Sequence, residues 1–170
     1  MVSRVLNLGL RAWEWLMALL VMALIGNMIA DANSGNPSVV NFGMFCAVFA
    51  MLTLLYLTAI AVNESFIGHG ALPLALDALN SLFWFCAAVA LAAELGVHSC
   101  SNKTYTKNNR ITNGADNRNK RCTEAQASTA FLWFGWAAFT ASAVFSSVGA
   151  RGVNLRAPGI RRGGPAMSQV

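Results

Sequence analysis

The 22 residues NFGMFCAVFAMLTLLYLTAIAV, from Asn41 to Val62, contain no charged side chain. A bilayer core is about 30 Å thick, so a helix of about 20 mostly apolar residues crosses it. Three further stretches approach or reach that length: Ala12 to Ile29, Leu72 to Leu95 and Ala127 to Val148. Each is too apolar around its circumference for a soluble amphipathic helix. Composition agrees, with 56% apolar and 11% charged residues in a chain of 170, against roughly 45–50% and 25% in soluble domains. Only helices or closed barrels satisfy every backbone amide in hydrocarbon. A barrel needs short segments alternating apolar and polar, and Leu16 to Ile25 and Phe83 to Leu95 do not alternate. The expected fold is all-α, a four-transmembrane-helix bundle over residues 1–150 with no separate soluble domain. The last residues, 151–170, are rich in Gly, Pro and Arg and are expected to form a disordered tail.

The first apolar stretch has an alternative reading. Arg4 and Arg11 precede the apolar run, and Ala30-Asp31-Ala32 offers small residues at a cleavage position, as in a signal peptide. The length of the run, extended by Trp13 and Trp15 as interface anchors, favours a retained span.

Four spans place both termini on one side. Lysines and arginines in the flanking segments do not say which. Arg4, Arg11, Arg151, Arg156, Arg161 and Arg162 lie on the terminal side, and Lys103, Lys107, Arg110, Arg118, Lys120 and Arg121 on the other. The long loop 96–126 is more informative. It contains Cys100 and Cys122, a pair that stays reduced in cytosol and joins in an oxidising compartment. It also contains the triplet Asn102-Lys103-Thr104, an N-glycosylation acceptor. Together they favour an outside loop and cytosolic termini; the alternative is two free surface thiols. Cys46 and Cys86 fall within spans two and three, where small apolar packing is their ordinary role.

Asp77 is the one acid that reads as lying well inside a span, and an intramembrane ionisable residue is a functional candidate. Asn80 shares its helix face three positions on. The pair serves either as a clasp between helices or as a site for an ion, proton or lipid headgroup. Transporters usually carry several buried charges or broken helices, so the clasp is preferred. Glu14 and Glu94 read as interface residues at span ends, and His69 as a turn residue between Gly68 and Gly70. Ala138, Ser142, Ser146 and Ala150 place small residues four apart on span four, a face for close helix approach within the chain or between subunits. In the tail, Arg151, Arg156, Arg161 and Arg162 each add about 1 kcal/mol of attraction to an anionic leaflet when close to it. The net charge of +5 is dispersed and comes with no nucleic-acid-binding motif. No serine elbow, metal-binding helical His pair or phosphate-binding glycine loop is present, so catalysis and a cofactor are not expected.

Several stretches resemble the MARVEL-domain proteins, and within them the fungal non-classical export protein family. They are Val40-Asn41-Phe42-Gly43-Met44-Phe45, Leu76-Asp77-Ala78-Leu79-Asn80, His98-Ser99-Cys100-Ser101-Asn102 and Thr104-Tyr105. Arg121-Cys122, Glu124-Ala125-Gln126-Ala127, Ala130-Phe131-Leu132 and the terminal Ser168-Gln169-Val170 continue the likeness. The resemblance implies a plasma-membrane protein of furrow-like eisosome microdomains. It implies organisation with a BAR-domain coat, response to sphingolipid or sterol, and a link to unconventional secretion. It carries no established catalytic or binding residues. The reading is a non-catalytic membrane organiser, expected to homo-oligomerise and to bind membrane lipids, with a small transporter or channel using Asp77 as the alternative.

Peptide mapping without reductant is expected to recover Cys100 and Cys122 linked. Recovery of both as free thiols would remove the first of the two reasons for placing the loop outside.

Overall fold

The computed structural model describes residues 4–33, 35–63 and 71–154, with backbone alone for 149–154. Helix α1 spans Arg4–Ala30, α2 Ser38–Val62 and α3 Leu72–Leu95. A short α4, Lys103–Asn108, and a 3-10 turn, Thr112–Gly114, lead to the long α5, Arg118–Asn154. The helices α1, α2, α3 and α5 are each long and apolar enough to cross a membrane. They form a ring in chain order: α1 packs on α2, α2 on α3, α3 on α5, and α5 closes on α1. The pairs α1/α3 and α2/α5 therefore face each other across the diagonals.

Burial of apolar surface provides no drive between helices in lipid, so van der Waals fit and internal hydrogen bonds must hold such a ring together. The interior pairs small with large residues. Ala47 and Ala50 on α2 and Ala87 and Ala88 on α3 are fully buried, beside Val21, Ile25, Leu54, Leu91, Trp84 and Phe139. Trp84 packs closely against Gly135 of α5, where an added Cβ would come within 2.1 Å of the indole. The Trp84 ring also meets Phe139, with centroids 5.2 Å apart. Leu19, Phe45, Leu52, Leu55, Leu82, Phe134 and Val144 point outward, as lipid-facing side chains should.

Several boundaries differ from the sequence reading, among them the start of α2 at Ser38 rather than Asn41. Helix α1 starts at Arg4 rather than near Ala12, and α5 starts at Arg118, inside the stretch expected to be loop. Beyond the bilayer, water and side-chain caps satisfy the free backbone groups of a helix end, so a helix need not stop where its apolar stretch does. Asn117 Oδ1 accepts from the Lys120 amide at 3.1 Å, the geometry of an N-cap. Helix α5 also runs on through Asn154, four residues into the expected tail. Arg156, Arg161, Arg162, His69 and its flanking glycines lie outside the described residues.

The segment between α3 and α5 is a folded cap. Helix α3 ends at Gly96, whose φ of 59° suits a residue without Cβ. Its amide donates to the Ala92 carbonyl at 2.9 Å. Asn102 Oδ1 caps α4 by accepting from the amides of Thr104 and Tyr105 at 3.0 and 3.2 Å. The Tyr105 hydroxyl donates to the Leu95 carbonyl at 2.5 Å, and burial pushes this phenol above its usual range, keeping it a donor. A disulfide joins Cys100 to Cys122, with Cα atoms 5.6 Å apart. Arg121, counted in the sequence as an outer-loop charge, is almost fully buried. Its Nε donates to the Ile111 carbonyl at 2.6 Å, Nη1 to the Met28 carbonyl and Nη2 to Asn36 Oδ1 at 2.8 Å. One guanidinium thus fastens the cap to the end of α1 and to the turn before α2.

Gly135→Ala should lower stability by about 1–3 kcal/mol, the usual cost of overpacking, read as a lower unfolding temperature in detergent. Gly26→Ala should not, because its nearest neighbour is the flexible Met44 Cε at 3.9 Å and alanine favours helix. Equal behaviour of the two variants would contradict the Trp84–Gly135 contact.

Candidate functional site

Near the end of the bundle that carries the chain termini, three charged side chains meet in the interior. Arg11 and Glu14 sit three positions apart on α1, hence on one face. Asp77 lies on α3, diagonally opposite. Arg11 reaches across the centre: Nη1 donates to Asp77 Oδ1 at 2.6 Å and Nη2 to Asp77 Oδ2 at 2.8 Å. This is the two-pronged geometry that makes arginine–carboxylate pairs strong. Nη1 also donates to Glu14 Oε2 at 2.8 Å.

Helix α5 completes the site. The Ser142 hydroxyl bonds Glu14 Oε1 at 2.6 Å, and the Ser146 hydroxyl bonds Asp77 Oδ2 at 2.7 Å. Arg11 is 4% exposed, and Glu14 and Asp77 are fully buried. Three helices are thereby joined through side chains that hydrocarbon would otherwise reject. Further along α3, Asn80 Nδ2 donates to Thr53 Oγ1 on α2 and to the Leu76 carbonyl, both at 2.9 Å. Ser81 bonds Thr140 on α5 at 2.7 Å. Beyond this polar layer the interior is filled by Leu54, Trp84, Leu91 and Phe139.

Several sequence expectations change. Glu14 is not an interface residue, and Arg11 is not a free charge near the terminus. The earlier start of α1 carries both into the bundle, where each gains a partner. Asp77 is accordingly one of three ionic groups in this buried cluster. It does not pair with Asn80: Asp77 turns to α1 and α5, and Asn80 turns to α2. Of the small-residue face on α5, Ala138, Ser142 and Ser146 are used inside the chain's own bundle, while the Ala150 side chain lies outside the described residues. Cys46 is buried as expected, whereas Cys86 is exposed on the outer surface.

A ring of four spans, fastened internally by an ion cluster and closed at the other end by a disulfide-bonded cap, defines a tetraspan membrane protein. The chain belongs to the MARVEL family: the model of this membrane-associating domain matches residues 4–145. It is homologous to the fungal non-classical export proteins. Non-classical export protein 102 of Candida albicans is 38% identical over 166 residues, which cover 95% of each chain. Non-classical export protein 2 of Saccharomyces cerevisiae is 36% identical over 141 residues, 81% of this chain and 77% of its own. Its homolog 1 in the same yeast is 35% identical over 128 residues, 75% of this chain and 71% of its own. No solved structure matches the chain.

Removing one partner of a buried pair strands the other, at about 3–5 kcal/mol in soluble proteins. Arg11→Leu takes the guanidinium from both acids and should be the most damaging change in the cluster. Asp77→Asn keeps Arg11 paired with Glu14 and should be much milder, on the order of the 0.6 kcal/mol averaged by hydrogen bonds between membrane helices. Thermal unfolding in detergent ranks them, and an Asp77→Asn variant as unstable as Arg11→Leu would contradict the network.

Proposed function

We propose that this chain is a non-catalytic organiser of plasma-membrane microdomains of the eisosome type, responsive to sphingolipid. The observation that carries the reading is how the bundle uses its polar groups. The charges of its Arg11 cluster are bonded to one another beneath a filled interior, while a belt of large apolar side chains faces outward. Such a protein works through its contacts with lipid and with other chains. An open polar cleft of about 410 Å³ at the cap end, lined by Asp31, Asn33, Asp116, Asn117 and Lys120, is large enough for a lipid headgroup.

The disulfide supports a cap facing an oxidising compartment, with both termini cytosolic. In that orientation Arg151, Arg156, Arg161 and Arg162 meet the anionic inner leaflet and the side where a membrane-bending BAR-domain coat would assemble. Homo-oligomers would form through the outward helix faces, since the small-residue face of α5 is occupied internally. The names of the relatives speak of non-classical export, and a part in unconventional secretion belongs to the same reading. A small transporter remains the second reading, because Arg11, Glu14 and Asp77 are all buried.

A lipid shifts an assembly equilibrium only by its differential affinity for the two states. Blocking sphingolipid synthesis should therefore change the clustering of the tagged protein, seen by fluorescence imaging, more than its abundance. Unchanged clustering would count against the proposal. Ion- or proton-dependent flux in proteoliposomes that is lost in Asp77→Asn would replace it with the transporter.

A further inference from the structure

The buried cluster contains two carboxyl groups and one guanidinium. Arginine keeps its charge in proteins, so with both acids ionised the site carries one uncompensated negative charge. Among the described residues, the groups around it offer no second cation, and Arg4 of α1 donates to the Val62 carbonyl. Helix α2 contains no Asp, Glu, Lys, Arg or His between Ser38 and Val62, and its Cys46 and Tyr56 make no bond to the cluster. On α3 the other acid, Glu94, lies at the far end and pairs with Arg110 at 3.6 Å. From the described side chains of α5 the hydroxyls of Ser142 and Ser146 reach the acids, and residues 126–148 of that helix hold no charged side chain. An unpaired charge inside a bundle in hydrocarbon is costly.

We propose that the Arg11–Glu14–Asp77 cluster is a binding site for one proton, held on Glu14 against Ser142. The two acids are not equivalent. Asp77 receives three donors, two from the guanidinium and one from Ser146, each at 2.6–2.8 Å. That set suits a carboxylate, which only accepts. Glu14 receives a single prong from Arg11 on Oε2, and its Oε1 faces only the Ser142 hydroxyl at 2.6 Å. A hydroxyl donates or accepts equally well, and 2.6 Å fits an O–H···O bond in either sense. With the proton on Oε1, Glu14 donates to Ser142 Oγ. The Glu14–Ser142 contact is kept with its sense reversed, and the cluster becomes neutral.

The site thereby couples the α1–α5 contact to pH. At neutral pH the folded chain holds a proton that a solvent-exposed glutamate of ordinary affinity would have released. Linkage then requires stability to fall as pH rises through the titration of the site. The proposal is independent of the microdomain reading, because it concerns the charge state of the folded bundle and not its partners.

Infrared spectroscopy of the purified full chain tests it, in a maltoside detergent that has no ester carbonyl. At neutral pH the wild type should show the carbonyl stretch of one buried, protonated carboxylic acid, shifted by deuterium exchange. Glu14→Gln should lose the band. Asp77→Asn should lose it too, because Glu14 alone then balances Arg11. Thermal stability of the wild type should decline toward alkaline pH, whereas Glu14→Gln, which imitates the protonated form, should be flat over the same range. A wild type without the band, or a band that survives in both variants, would overturn the proposal. So would a wild type stabilised at fixed pH by sodium or potassium in place of the proton. The wild-type spectrum decides the matter even where a variant fails to fold.

Discussion

The guanidinium of Arg11 sets the arrangement of three of the four spans. Hydrocarbon offers no water to an ionised side chain, so a charge on α1 must find its partner inside the bundle. It finds Asp77 on the diagonal helix through two bonds of 2.6 and 2.8 Å, and Glu14 on its own helix through a third. A fork of that kind tolerates little sliding, so the depth of α1 relative to α3 is fixed. Ser142 and Ser146, one turn apart, add the depth of α5. The small residues on that face matter because larger ones would hold α5 away from the two acids.

A second guanidinium solves the corresponding problem at the other end. Arg121 is buried under the cap and bonded to two carbonyls and an amide oxygen, which suits a planar group with five donors. Next to it, the Cys100–Cys122 bond ties the exit of α3 to the entry of α5. Between the two polar ends, contacts such as Trp84 on Gly135 rely on shape alone. The bundle is thus fastened at both ends and closely fitted in its middle, and its outer surface is left free for lipid.

Much of this was legible in the sequence. The third span, Leu72 to Leu95, is bounded by Pro73 at its start and Gly96 at its end, and the structure keeps those limits. The cysteine pair stood out because the intervening segment is too polar to lie in lipid. Other parts were hidden for physical reasons. Arg11 and Glu14 lie close to the chain start, where charged residues usually mean solvent. Hydropathy averages conceal a charge whose partner is 66 positions away. Their spacing of three on one helix face was the available signal, given an acid entering from the same membrane side on another span. The cap was hidden because Asn-, Lys- and Thr-rich sequence reads as loop unless the capping roles of Asn102 and Asn117 are recognised.

A double-mutant cycle on Arg11 and Asp77, measured by reversible unfolding in detergent, tests most directly whether this ion pair holds the bundle together. If the pair is joined as described, Arg11→Gln with Asp77→Asn is more stable than the sum of the single losses implies. The coupling should exceed the roughly 0.3–0.5 kcal/mol scatter seen for independent sites. Additive losses within that scatter would mean that the two side chains do not meet, and the account of the fold built on them would fail.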